Sequence, residues 1–290
     1  MVLGATYQKK HIMVPVTFAR LYFQPSLFSS QDEPLLLFQD LLSREIRNIY
    51  TTRRGNKKTG WVITDNHVTR HGDTDFGVGK LGRISPKRIR AFDDAVFTEI
   101  REEVSKGYLD SCFVVDFSNS WIAFETKTGI SVEQFCQAFV GVCMTAEHRL
   151  GFISLYPDVE RAAYMEAFKK LKIIQKVRIE FVVPNPQMYE LAKAIQNKLL
   201  IEPKAVKAII DCEGSAKGLE HDSDIVKIAG NLPLDMPQYG VVEVRGMQNE
   251  DSPLQIVSSY DKAVKTTVSM PKEKEGKWQV LMDLLIKRKK

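Results

Sequence analysis

A chain of 290 residues, 44 % hydrophobic and 27 % charged, has the composition of a soluble globular protein with one large or two ordinary domains. A core of that size needs no disulfide or metal staple, and no apolar run approaches the ~18 residues of a membrane span. The net charge of +5, with a pI near 8.9, is mildly basic and suits a polyanionic partner without specifying one.

In chain order, "HIMVPVTFARLYFQP" reads as a strand, with Val14, Val16 and Phe18 on one side. Residues 33–49 read as a helix with Pro34 in its first turn and Leu37, Leu41 and Ile49 on the inner face. "TTRRGNKKTGWVIT" is a basic turn leading into a strand. Residues 86–105 fit a helix starting at Pro86, with Ile89, Phe92, Val96, Ile100 and Val104 in register. "SCFVVDFSNSWIAFETK" predicts a hairpin turning at Ser118-Asn119-Ser120, so that 116 pairs with 121, 112 with 125 and 110 with 127. Ser131 and Gln134 form a capping box before Val132, Phe135, Cys136, Phe139, Val140 and Cys143.

The second half alternates strand and helix. "GFISLYP" is a strand, and "DVERAAYMEAFKKL" a helix capped by Asp158. "KVRIEFVVPNP" is a strand ended by Pro184 and Pro186. "QMYELAKAIQNKLL" is a helix and "AVKAIIDC" a strand. "YGVVEVRG" and "PLQIVSSY" form a hairpin around Asn249-Glu250-Asp251, and "EGKWQVLMDLLIKRKK" closes the chain as an amphipathic helix with a basic tail. The pattern predicts an α+β protein of two mixed domains, antiparallel hairpins packed by amphipathic helices. Residues 1–150 and 151–270 form the two domains, and 271–290 a terminal helix and tail.

Five sets of residues bear on function. "DTDFGVGKLGR", residues 73–83, contains both an Asp-Phe-Gly triplet and a G-x-G-x-x-G spacing. No apolar strand precedes Gly77, and Pro86 with Ser85 disfavours a helix after Gly82, so the stretch reads as a flexible hairpin tip rather than a nucleotide loop. His67 and His71 lie on a strand running into a turn, too far apart for a shared zinc ion. Residues 40–92 hold twelve Lys/Arg against five Asp/Glu, more positive charge than the whole chain nets. Within them Arg53, Arg54, Lys57, Lys58, Lys87, Arg88 and Arg90 are candidate phosphate contacts, with a solvated face as the plain alternative. Trp61, Trp121 and Tyr108 are candidates for base stacking or for the core.

Glu125-Thr126-Lys127 matches the E-x-K of metal-dependent nucleases, in which carboxylates hold Mg²⁺ and lysine orients the attacking water. The predicted register leaves Asp116 out of reach and brings Asp110 opposite Lys127, so a nuclease would use Asp110, Glu125 and Lys127. The alternative is a solvent-facing cross-strand ion pair. The four cysteines, Cys112, Cys136, Cys143 and Cys212, lack zinc spacing and read as core residues of a reducing, cytoplasmic protein.

The order of "CFVVDFSNSWIAFETKTG", "SVEQFCQAF", "VRIEFVVPNP" and "VVEVRGMQNEDSPLQIVSSY" resembles that of RexA-type phage-exclusion proteins over roughly residues 50–265. It is also similar to a bacterial domain family with a strand–PNP–helix signature. The resemblance implies a two-domain α+β homodimer that binds DNA with little sequence preference, and double-stranded DNA is the partner expected. It also implies a role as sensor or regulator in phage exclusion or anti-phage defence, with a partner protein encoded nearby. It brings no catalytic residues and no cofactor; Mg²⁺ enters only with the nuclease alternative, and membrane insertion is not expected. A third possibility is an interaction subunit of a larger complex, its basic face serving an acidic partner.

Overall fold

The computed structural model describes residues 12–24, 33–54, 57–93, 98–182, 207–215, 217–235 and 240–288. Among these residues, five helices and twelve strands form two antiparallel sheets, the α+β class expected. The elements are β1 (Ile12–Gln24), α1 (Glu33–Ser43), β2 (Tyr50–Arg54), β3 (Lys57–His71), β4 (Thr74–Asp93), β5 (Thr98–Asp116), β6 (Trp121–Glu125), α2 (Val132–Ala146) and β7 (Phe152–Pro157). There follow α3 (Arg161–Lys170), β8 (Ile173–Val182), β9 (Lys207–Glu213), α4 (Asp224–Asp235), β10 (Gly240–Met247), β11 (Gln255–Ser258), β12 (Lys265–Met270) and α5 (Lys274–Arg288). The chain divides into two compact units, one of Met1–Val16, Pro25–Ile153 and Thr266–Lys290, the other of Thr17–Gln24 and Ser154–Lys265. The larger sheet runs β12-β1-β6-β5-β4-β3-β2, with β7 also paired to β1; the smaller runs β11-β10-β8-β9.

In the first unit, α2 starts at the predicted capping box, Ser131 and Gln134 bonding reciprocally. Its apolar stripe meets the sheet in an aromatic layer. Phe135 stacks on Phe124 with centroids 3.8 Å apart, and Phe139 stands edge-on to Phe113 at 5.1 Å. The predicted hairpin has the expected register, Phe113 opposite Phe124 and Asp116 opposite Trp121. Helix α5 packs on β5 and β6, burying Trp278, Leu281, Met282 and Leu285. Alternate residues of β5 point to opposite faces, and Cys112, Phe113, Val114 and Val115 are all buried. In the second unit, β10 alternates buried and half-buried residues, and its inner face packs with Ile174, Val177 and Ile179 against Tyr164 of α3 and Ala229 of α4. The Tyr164 hydroxyl donates to the Ala229 carbonyl at 2.7 Å.

Four expectations are corrected. Within the span expected to be helical, 86–105, the described residues 86–93 and 98–105 are strand: β4 and β5 continue as a paired arm, with Arg88 opposite Glu103 and Asp93 opposite Thr98. The apolar spacing fits a helix, but the register is already fixed where the same strands cross the core, and tertiary pairing overrides local period. Pro86 sits beside a register shift, where its missing N–H breaks no regular ladder bond. The helix expected over 33–49 stops at Ser43, because the Asn66 amide donates to the carbonyls of Leu42 (3.0 Å) and Arg44 (2.6 Å). Asp158 is not an N-cap. Its N–H donates to the Phe18 carbonyl and its own carbonyl accepts from Val264, so α3 begins only at Arg161, after Glu160. The helix expected from "QMYELAKAIQNKLL" and the Pro184–Pro186 strand end lie outside the described residues.

The fourth correction concerns the glycine stretch, which is the interior of β4 rather than a hairpin tip. The turn lies before it, at Gly72, whose φ is 60°. A Cβ on Gly77 would stand 2.6 Å from Leu42 and 2.8 Å from Phe117; one on Gly79 would stand 2.7 Å from Phe113. These glycines make room for neighbouring side chains, leaving no cradle for a phosphate. Gly79→Ala should therefore destabilise the fold by about 1–3 kcal/mol in a denaturant titration, the cost of overpacking a filled core.

Candidate functional site

Three adjacent strands carry the predicted phosphate contacts. In the β2–β3 hairpin Arg53 lies opposite Lys58, and Arg54 opposite Lys57. Gly60 of β3 lies opposite Ile84 of β4, so two residues nearer the tip Lys58 stands level with position 86. The arm of β4 and β5 starts there, carrying Lys87, Arg88 and Arg90 along β4. Register alone thus gathers all seven candidate residues at one end of the sheet. The arm is not uniformly basic, since β5 brings Glu103 opposite Arg88 and Glu102 opposite Ile89. Arg53 and Lys58 are exposed and form no ion pair among the described residues.

Four other basic residues of the same region are engaged within the fold. Arg44 meets Glu147 at 2.8 Å, Arg47 meets Glu45 at 2.7 Å, and Lys80 meets Asp65 at 2.9 Å. Arg83 donates to the Gly129 carbonyl and lies 6.0 Å from the Trp61 ring centroid. Glu147 also receives Arg149, and these contacts hold its pKa down to about 2.

The E-x-K pair lies in a buried charge network. Lys127 Nζ is 2.9 Å from Glu125 Oε2 and 3.2 Å from Asp110 Oδ1, the neighbours its predicted register gave it. Asp116 is away from them, accepting from Ser118 N and Asn119 Nδ2. The expected solvent-facing ion pair is corrected: Glu125 is fully buried, because α5 covers this face. That helix supplies Lys277, whose Nζ is 2.8 Å from Glu125 Oε1. Lys80 stands between Asp110 (3.9 Å) and Asp65 (2.9 Å), and Lys274 is 3.6 Å from Asp65. Asp65 reaches inward from a bulge in β3, at φ 55°, a left-handed conformation that aspartate tolerates better than most residues.

Four lysines thus face three carboxylates. Burial alone would raise the Glu125 pKa, but hydrogen bonds from Lys277 and Lys127 outweigh it and hold the carboxyl below its ordinary value. Burial likewise works against charged Lys127, yet Glu125 and Asp110 raise its pKa. Both Glu125 oxygens face ammonium groups, the arrangement of an ion-pair lock. Among the described residues no three His, Cys, Asp or Glu side chains are placed to hold a metal ion together.

The remaining candidates separate cleanly. The His67 ring stands edge-on to Trp278, centroids 5.2 Å apart, and His71 Nε2 meets Asp283 at 3.1 Å. Trp61 is buried, and the Arg288 guanidinium lies 4.7 Å from the Trp121 ring centroid. Tyr108 is 49 % exposed. Cys112, Cys136 and Cys143 are buried as expected, and burial pushes the Cys112 thiol up to about 12. Sequence reasoning missed Lys277, which lies 150 positions beyond Lys127; its one signal is a place beside Trp278 on the inward side of α5.

An antiparallel α+β architecture with a charge network locked under its C-terminal helix defines a class without defining an activity. A family model described as a domain of unknown function, DUF4747, matches residues 83–286, well over half of the chain, and the protein belongs to that family. The matched span includes Tyr108, Asp110, Glu125, Lys127 and Lys277 and leaves Arg53 and Lys58 outside. No curated protein matches the chain.

Glu125→Gln leaves Lys277 without a carboxylate among the described residues and Lys127 with Asp110 alone, in a mostly buried site, and should cost about 3–5 kcal/mol in chemical denaturation. Replacing the whole triad at once, as Glu125→Leu/Lys127→Met/Lys277→Met, should restore most of that loss. The Glu125 contribution is complete above its ordinary pKa near 4.5 and fades as pH falls through the lower folded value, so the deficit of the Gln variant should shrink in acid.

Proposed function

We propose that this protein binds nucleic acid, gripping the phosphate backbone with the basic end of its larger sheet. The observation that carries the reading is the convergence in register of the β2–β3 hairpin and the base of the β4–β5 arm, with Arg53 and Lys58 exposed and free of acidic partners among the described residues. Backbone contact of this kind reads charge rather than sequence, which suits low sequence preference. The setting in phage exclusion or anti-phage defence, the homodimeric state and a partner protein encoded nearby rest on the RexA-type order of elements alone.

The nuclease alternative is weaker. Its three residues do meet, but Lys127 lies between the two carboxylates and Lys277 takes the other side of Glu125. A divalent ion there would have to displace two ammonium groups from a buried site. Plasmid incubated with the protein and Mg²⁺ should stay intact.

Fluorescence anisotropy with labelled oligonucleotides between 50 and 200 mM salt tests the main reading. Affinity should fall steeply with salt, and the Arg53→Ala/Lys58→Ala double variant should flatten the log–log slope by about 1 to 2. Absence of binding at the lowest salt, or an unchanged slope in the variant, would contradict it.

A further inference from the structure

Tyr108 is half-exposed at the base of the arm, and its environment is specific. Its ring reaches from β5 across β4: the hydroxyl meets Thr64 Oγ1 of β3 at 3.2 Å, and a Cβ on Gly82 of β4 would stand 2.5 Å from Cε2 and 2.8 Å from Cζ. The ring spans from β5 to β3 with its Cε2–Oη edge over a glycine, where any side chain would collide with it, and the residue is 49 % exposed. Tyr108 lies opposite Ile84, Ile84 opposite Gly60, and Lys58 and Arg53 continue the same face towards the hairpin tip. Two strand spacings and two residues separate the Cα positions of Lys58 and Tyr108, about 12 Å. Among the described residues, the acids of this face have cationic partners, Asp110 in Lys127 and Lys80, Asp65 in Lys80 and Lys274.

From this geometry we infer that the sheet face around Tyr108 is a platform for single-stranded nucleic acid, one base stacking on the ring while Arg53 and Lys58 hold neighbouring phosphates. The inference rests on the nucleic-acid reading above and narrows it to the strand form. A flat aromatic ring on a β-sheet between cations is the general way unpaired bases are held, since every base offers a π-face. In a duplex those faces are already stacked on each other, and the ring has nothing to receive.

The test compares a labelled 15-nucleotide oligothymidylate, an oligouridylate of equal length and a 15-base-pair duplex, using wild-type protein and three variants. Wild type should bind at least one single strand more tightly than the duplex. Tyr108→Ala should weaken single-strand binding about tenfold and leave both duplex affinity and the salt slope unchanged. Tyr108→Phe, which keeps the ring and loses only the Thr64 contact, should stay within about twofold of wild type. Arg53→Ala/Lys58→Ala should weaken all three ligands. A duplex preference in wild type, or Tyr108→Ala matching wild type while the double variant is impaired, overturns the platform and leaves the phosphate reading intact. Failure of all ligands to bind wild type removes both.

Discussion

The constraint on which the first unit depends is the absence of a side chain at three positions of β4, Gly77, Gly79 and Gly82. Gly77 and Gly79 face α1 and α2, where Leu42, Phe117 and Phe113 take the space that their side chains would fill. Gly82 faces the other way and carries Tyr108. A central strand rich in glycine is weak by propensity and short of side chains to pack. Large residues from neighbouring elements compensate by lying directly on its backbone, and the Trp278 indole N–H donates to the Gly79 carbonyl from the α5 side. The same device that closes the core on one face makes room for the half-exposed Tyr108 ring on the other.

The charge network answers a different need. Helix α5 covers a face of β5 and β6 that carries Glu125, Lys127 and Asp110, and apolar packing alone would strand those charges. Lys277 and Lys274 arrive with the helix and complete the alternation of sign. Buried ion pairs of this kind contribute little net stability, but a displaced or slipped helix would leave Glu125 without its second partner. The network therefore specifies where α5 sits. This is a sufficient account of an E-x-K pair that, in sequence alone, matches a nuclease.

Much of the fold was legible where local pattern and tertiary context agree. The capping box of α2, the hairpin at Ser118-Asn119-Ser120 and the β10–β11 hairpin around Asn249-Glu250-Asp251 each follow from a few adjacent residues. The strand pairing of 86–93 with 98–106 was not, because the helical spacing there is local and the pairing is dictated from the core end. Helix α4 lies in a stretch for which no element was expected: it holds Gly230 and Pro233, both poor helix formers, although Val226, Ala229 and Leu232 line one face. At the candidate site, the Asp110–Lys127 contact followed from hairpin register, whereas Lys277 and the Asn66 cap come from distant segments that no local period announces. The clustering of Arg53, Arg54, Lys57 and Lys58 was plain from the sequence; that Lys87, Arg88 and Arg90 start level with them required the β3–β4 pairing.

These features form one picture: glycine at position 82 makes room for Tyr108, the lysines under α5 neutralise Asp110, Asp65 and Glu125, and the basic hairpin ends are the phosphate contacts proposed beside the ring. Its most direct test is photocrosslinking of a 4-thiouridine oligonucleotide to the wild-type protein, followed by mass spectrometry of the modified peptide. A nucleotide adduct on Tyr108 or on the adjoining residues of β4 and β5 is the expected result. Adducts confined to the second unit, or to the far end of the larger sheet, would contradict it.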